Sequence, residues 1–321
     1  MARTLLVVLA LLLAALLACL FLLVQPFVTP RPWQAPAASA EQLEADVRRL
    51  AVDFHPRSAD HPENLAKAAD HIRAVFREAG AKVSLQPVGV QGHRYVNVIG
   101  HFGPEAGPLL VIGAHYDTHV GTPGADDNAS GVAGLLELAR LLARTPPAGP
   151  VQLVAYPLEE QPYFRTGDMG SARHARALRA AGREVRLMVS LEMIGSFSEE
   201  PGSQRYPLAG LSLLYPQQGD FIALVGRFGD FGAMRRMKAA MAGASPLPVR
   251  SINAPPALVQ GIDWSDHLNY WNEGYPAVMV TDTAFLRNAQ YHQPGDTPDT
   301  LDYRRMAQVV QGLLAFARQP P

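Results

Sequence analysis

The chain has 321 residues, 28 Lys+Arg against 29 Asp+Glu, a formal net charge of -1, 48% hydrophobic residues and one cysteine. The charge balance argues against a nucleic-acid partner, which needs a positive surface for phosphate contacts, and the hydrophobic fraction excludes a mostly disordered chain. Cys19 alone permits neither an intramolecular disulfide nor a thiolate metal cluster, so any metal must be held by His, Asp and Glu.

The first element is an uncharged run, Thr4 to Val24, matching the ~20 residues that cross the hydrocarbon core of a bilayer. Only Arg3 and the amino terminus carry charge before it, an arrangement that keeps the N-terminus in the cytoplasm and exports the rest of the chain. The run exceeds the ~7–15 residues of a cleavable signal core, so an uncleaved anchor over residues 1–24 is expected. Cleavage after Ala40 is the second reading, and it would release the body; a lipoprotein signal LLAC ending at Cys19 is the third, disfavoured because Leu20 to Val24 continue the apolar run. Pro26, Pro30, Pro32 and Pro36 then break any regular helix, so residues 25–40 read as a tether. Residues 41–321 are enough for one large core domain.

In that body, Leu43, Val47, Leu50 and Phe54 share a helical face, and Leu65, Ala68, Ala69, Ile72, Phe76 and Ala79 form a second stripe that Gly80 closes. Strands follow at Lys82 to Val88, Tyr95 to Phe102 and Pro108 to Ala114. Next come a helix from Ser130 to Arg144, a strand from Val151 to Pro157, a helix from Gly170 to Ala180 and a strand from Arg186 to Leu191. The Pro- and Gly-rich stretch from Ser198 to Gly219 reads as an inserted loop. A strand at Phe221 to Val225, a helix from Phe231, a strand at Ala277 to Thr281 and a helix from Asp302 to Arg318 complete the order. This alternation predicts a three-layer α/β/α fold with a central mixed, mostly parallel sheet, preceded by the transmembrane helix.

Ligands of such sheets gather beyond the carboxyl ends of the strands. The run PLLVIGA delivers His115, VQLVAYPL delivers Glu159 and Glu160, and RLMVSL delivers Glu192. The loop PGADDNASG carries Asp126 and Asp127, and YHQPGDTPD carries His292. Buried carboxylates repel and lose hydration unless cations neutralise them, so a metal is inferred. Two His with several carboxylates suit zinc, with Mn or Co as tolerable substitutes.

The ordered set HYDT, GADDNASG, EE after a strand, LEMIG, SDH followed by GYPAV, and HQPGDTPD resembles the co-catalytic dizinc aminopeptidases. That family includes secreted leucyl aminopeptidases, glutamate carboxypeptidase and, more distantly, glutaminyl cyclase. The resemblance runs from about Pro56 to the end. It implies that His115, Asp127 and Glu192 hold one zinc and that Asp127, Glu160 and His292 hold the other. It further implies Glu159 as general base, Asp117 orienting His115, and a cis peptide after Asp127. The activity implied is hydrolysis of N-terminal residues of peptides; the N-terminal segment, read as above, would place it outside the cytoplasm in the periplasm or at the cell exterior.

Three features depart from the family pattern. Glu192 stands where Asp is usual, QPYFRTGD intervenes before MGS, and Ile262 occupies a position held by Tyr in some relatives. Tyr163 and Phe164 either line a pocket or cap the sheet edge. Other readings are a one-zinc glutaminyl-peptide cyclotransferase, a non-catalytic relative, and a carboxypeptidase using Arg165, Arg205 or Arg287 to hold a terminal carboxylate. Asp266 and His267 are expected to support the site by hydrogen bonding. His55, His61, His71, His93, His101 and His174 read as ordinary structural residues, with His119 left open.

Overall fold

The computed structural model describes residues 2–34 and 36–320; Met1, Ala35 and Pro321, which the predicted anchor, tether and body include, lie outside the described residues. Eight strands form one sheet in the order β1-β2-β4-β3-β5-β8-β6-β7. They are β1 (Lys82–Val90), β2 (His93–Phe102), β3 (Leu109–His115), β4 (Val151–Tyr156), β5 (Val185–Glu192), β6 (Ile222–Gly226), β7 (Val249–Asn253) and β8 (Ala277–Thr281). β4, β3, β5 and β8 run parallel, β1 and β2 are antiparallel at one edge, and β6 and β7 run parallel to each other but opposite to β8. The mixed, mostly parallel α/β sheet is the expected one.

The helices are α1 (Ala2–Val24), α2 (Ala40–Arg48), α3 (Pro62–Glu78), α4 (Gly131–Arg144), α5 (Gly170–Ala180), α6 (Phe231–Ala244), α7 (His267–Asn272) and α8 (Tyr303–Ala317). On one face of the sheet α2, α3, α4, α6 and α8 bury a continuous apolar core that includes Leu43, Phe76, Leu136, Met237 and Leu313. On the other face Ala175 and Leu178 of α5, with Tyr270 and Trp271 of α7, cover Val111, Val154 and Met188. Every residue of β3 is buried, as a strand covered on both faces requires.

Two elements lie where no element was predicted. β7 is the short edge sequence VRSIN, whose burial alternates and whose hydrophobic content is low. α7 has six residues, too few to display a helical stripe. Both form because tertiary neighbours complete them: β7 pairs along its whole length with β6, and Trp271 of α7 donates its indole N–H to Ala277.

α1 is long and apolar enough to cross a membrane, and its Leu5, Leu9, Leu13 and Leu17 are each more than half exposed. The segment after it is extended, as its prolines require, and it lies along α6. Arg31 N–H donates to Ala239 and Trp33 N–H to Gly243. A Cβ on Gly243 would stand 2.0 Å from the Arg31 carbonyl oxygen, so this close approach needs glycine.

Candidate metal centre

The strand order places the site. β3 lies between β4 and β5, so the chain leaves β3 for a neighbour on one side and later returns to the other. That switch opens a crevice at the carboxyl ends, where loops diverge instead of packing. His115 ends β3, Glu159 and Glu160 follow β4, and Glu192 ends β5. Asp127 comes from the loop before α4, and His292 from the loop after β8.

These side chains converge into two three-residue groups: His115, Asp127 and Glu192, and Asp127, Glu160 and His292. His115 Nε2 is 3.4 Å from Asp127 Oδ1 and 3.5 Å from Glu192 Oε2. His292 Nε2 is 3.1 Å from Asp127 Oδ2 and 3.4 Å from Glu160 Oε2. Tetrahedral ligands about 2.05 Å from zinc are separated by about 3.3 Å, so these spacings match a coordination shell. His115 Nε2 and Glu160 Oε1 are also buried without a hydrogen-bond partner. Buried polar atoms rarely remain unpaired, so the donor set fits a metal.

Electrostatics agree. Burial opposes charge on His115, yet the carboxylates of Glu192 and Glu159 outweigh it and hold the imidazole well above its usual range. Burial, with the Asp127 charge adding to it, lifts Glu160 to about 7, although His292 opposes the shift. Burial lifts Glu159 well above the carboxylate range; His115 opposes this, and Glu192 and Glu160 add to it. The bare protein thus resists holding these groups as carboxylates, and a divalent cation relieves that repulsion.

Cross-braces between loops fix the geometry. The Asp117 carboxylate accepts from Glu159 N–H at 3.1 Å and Glu160 N–H at 3.0 Å, tying the β3 exit to the β4 exit. Asn128 donates to Leu191 O at 2.8 Å and accepts from Met193 N–H at 3.1 Å, joining the Asp127 loop to the β5 exit. The Asp296 carboxylate accepts from Asp126 N–H at 2.9 Å and Asp127 N–H at 3.1 Å, joining the His292 loop to the Asp127 loop. Leu158, Met193 and His292 have φ of 65°, 53° and 56°. Non-glycine residues rarely adopt such values, and here all three sit at or beside a clustered carboxylate or imidazole. The peptide after Asp127 is cis, as the family resemblance implies.

Asp117 meets His115 in two ways. His115 Nδ1 lies 3.1 Å from the Asp117 backbone carbonyl and 3.6 Å from its carboxylate, which also accepts the Glu159 and Glu160 amides. Asp126 is distinguished from Asp127 by its own partners, Gly195 N–H and Asn288, each at 2.9 Å. Glu192 reaches its group and accepts from Ser265 Oγ at 2.6 Å. His119 stacks on His292 with ring centroids 4.2 Å apart, at the rim. His267 stays outside both groups and bonds Ile262 O at 2.7 Å, while Asp266 is buried beside Ser171 with, among the described residues, no hydrogen bond within 3.5 Å on its carboxylate oxygens.

Sequence reasoning missed Arg57. It is buried, and its guanidinium donates to Tyr116 O at 3.1 Å, Pro123 O at 3.1 Å, Gly124 O at 2.9 Å and also to Leu50 O. It thereby clamps the loop leading to Asp127 against the N-terminal helices. Arg57→Ala should lower unfolding stability by about 3–5 kcal/mol, because buried carbonyls lose their donors. Denaturant unfolding reads this directly, and a loss below about 1 kcal/mol contradicts the clamp.

An apolar cavity of about 110 Å³ adjoins Glu192 and Tyr291. Tyr206, Leu211 and Tyr215 come from the stretch predicted as an inserted loop, and Ala223, Ile262 and Trp264 close other walls. Tyr163 instead packs against the main core, which supports its edge-capping reading.

The pattern of Peptidase family M28 matches residues 97–317. The chain is 53% identical over 300 residues to the Escherichia coli (strain K12) protein YfbL, described as uncharacterized, covering 91% of this chain and 92% of that one. It is 26% identical over 301 residues to leucine aminopeptidase 1 of Coccidioides posadasii (strain C735), covering 86% of this chain and 71% of the relative. In fold it resembles the LapA aminopeptidase of Legionella pneumophila, with a TM-score of 0.70 at 20% identity over 87% of this chain and 71% of that one. The glutaminyl cyclase of Bacteroides thetaiotaomicron is similar too, with a TM-score of 0.68 at 18% identity over 90% of this chain and 100% of that one. The chain belongs to Peptidase family M28.

Proposed function

We propose that the protein is a dizinc exopeptidase that removes N-terminal residues from peptides, held to a membrane by α1 with residues 41–321 as its catalytic body outside the cytoplasm. One observation carries this reading: two three-donor groups share Asp127, and Glu159 belongs to neither. In it, His115, Asp127 and Glu192 hold one ion, and Asp127, Glu160 and His292 hold the other. Such a pair supplies Lewis acidity and makes water acidic enough to ionise near neutrality. Glu159, 3.9 Å from His115 Nε2 and buried, accepts the attacking water's proton and returns it to the leaving amine. Asp117 holds that residue in place through its backbone amide.

Amino- rather than carboxypeptidase action is supported by the arginines. Arg165 pairs with Asp263 at 2.7 Å, Arg205 donates to Phe285 O, and Arg287 bonds Gln204, Ser196 and Phe221. Arg165, Arg205 and most of the Arg287 guanidinium are engaged elsewhere, which leaves Arg250, at the wall of the cavity beside Glu192, as the remaining cation for a terminal carboxylate. Metal analysis of the purified chain together with a panel of aminoacyl-nitroanilides tests the whole reading. Two zinc equivalents and release of nitroaniline are expected, with Mn or Co restoring part of the activity of stripped protein. One equivalent with a pyroglutamyl product would assign a cyclase, and an inert, metal-free protein would assign a non-catalytic relative.

The cavity beside Glu192 suits an apolar side chain on the released residue. Ala223→Phe, which fills it, should lower kcat/KM for leucyl substrates about tenfold or more, with alanyl substrates changed less than about threefold. Equal losses on both would remove the cavity from substrate selection.

A further inference from the structure

The end of α1 is built into the catalytic body. Leu23 packs against the second core with Ile252. Val24 O accepts from Ser251 Oγ at 2.9 Å and from Lys238 Nζ at 3.3 Å. Gln25 is fully buried, and its amide donates to Asn253 Oδ1 at 2.6 Å. Lys238, itself buried, has Gln25 O at 2.9 Å and Ser251 Oγ at 3.0 Å as further acceptors. Two of its three acceptors therefore belong to the backbone at the α1 exit, and removing residues 1–40 would take both of them away. A helix fixed in this way sets which surface of the body faces the bilayer.

Ser251 also marks that surface. Its hydroxyl bonds the anchor, and its carbonyl accepts from Tyr215 Oη at 2.7 Å. Tyr215 ends a loop whose Leu208, Leu213 and Leu214 are 45%, 88% and 39% exposed. Leucines this exposed and this closely grouped are unusual on a surface facing water alone. Arg250 on β7 borders the cavity with Tyr206 and Tyr215, while Arg31 on the extended segment, which donates to Gln319, and Arg236 on α6 flank Val28 and Thr29 just beyond the exit; all three are exposed and, among the described residues, without a carboxylate partner within 4.0 Å. Exposed apolar side chains and cations without carboxylate partners, on either side of the α1 exit, match the layering of a bilayer surface, with acyl chains inside and anionic headgroups outside.

We propose that the Leu208–Leu214 loop and the arginines around the α1 exit form a bilayer-contact surface continuous with the anchor. Leu213 enters the interface, and Arg31, Arg236 and Arg250 meet anionic headgroups. Tyr206, Leu211 and Tyr215 of the same loop wall the cavity next to Glu192, so the bilayer and the candidate site share one loop. The proposal rests on α1 being retained as an anchor and is independent of which peptide bond the site cleaves.

The full chain carrying Cys19→Ser tests it, with a small fluorophore on Leu213→Cys or, for reference, on Leu85→Cys. Leu85 is 42% exposed on β1, at the sheet edge opposite β7 and about 34 Å from it by strand spacing. In vesicles of phosphatidylcholine and phosphatidylglycerol with brominated acyl chains, the Leu213 label should be quenched several-fold more strongly than the Leu85 label. The difference should shrink in pure phosphatidylcholine. Equal quenching in chains that float with the vesicles overturns the loop contact while leaving the anchor intact, and chains that fail to float overturn both. A Leu213 label shielded from water yet unquenched by bromine points to a protein partner and also overturns the proposal. Quenching indifferent to phosphatidylglycerol removes the arginines from the surface.

Discussion

Glu159→Gln should reduce kcat by about 10²–10⁴, equivalent to roughly 2.7–5.4 kcal/mol of barrier, while zinc content stays at the wild-type value. The substitution keeps the size and planarity of the side chain, so the Asp117 bond to the residue 159 amide persists and the crevice keeps its shape. What it removes is basicity, because an amide oxygen accepts a hydrogen bond but does not take a proton. Neither three-donor group includes Glu159, so metal content has no reason to fall. Glu160→Gln is the informative partner: it is adjacent in sequence and bonded to the same Asp117 carboxylate, but it lies 3.4 Å from His292 and belongs to a donor group. That variant should lose metal as well as turnover. Turnover near wild type in Glu159→Gln, measured beside elemental analysis, would assign proton transfer elsewhere.

The contrast between these adjacent glutamates shows what the sequence makes legible. Both follow an apolar strand, and strand exits of a parallel sheet are where ligands collect, so the region of the site is readable from hydrophobic runs alone. β3, β4 and β5 are such runs, and their ends match the observed strands within one or two residues. The separate roles of Glu159 and Glu160 are not readable in that way. They depend on Leu158, whose φ of 65° turns the chain, and on the hydrogen bond that the Glu159 N–H donates to the Asp117 carboxylate more than 40 residues earlier. Asp126 and Asp127 show the same limit: two identical neighbours differ only because Gly195 and Asn288 engage the first and two histidines flank the second.

Features assembled from distant segments were the least legible. The cavity wall draws on loops near Tyr206, Ile262 and Phe285, each of which reads locally as irregular polar and apolar sequence. Four prolines predict an extended segment after α1 but carry no information about docking. That is decided by α6 carbonyls at Ala239 and Gly243, which take the amides of Arg31 and Trp33. A tether and a strap have the same local sequence rules, and tertiary acceptors separate them.

Asp127→Ala should have the broadest effect on metal content, with turnover falling at least about a thousandfold, since the Lewis acid supplies several kcal/mol of stabilisation. Each carboxylate oxygen of Asp127 faces a different histidine, Oδ1 toward His115 and Oδ2 toward His292. Removing it leaves only His115 with Glu192 on one side and only Glu160 with His292 on the other. Two donors do not make a stable zinc shell, so both ions should be lost together. His292→Ala takes a donor from one group only, so the group of His115, Asp127 and Glu192 should keep its ion. Elemental analysis of the two variants therefore separates a shared carboxylate from two independent sites. Retention of two zinc equivalents by Asp127→Ala would contradict its shared position, and complete loss from His292→Ala would mean that the groups bind only as a unit.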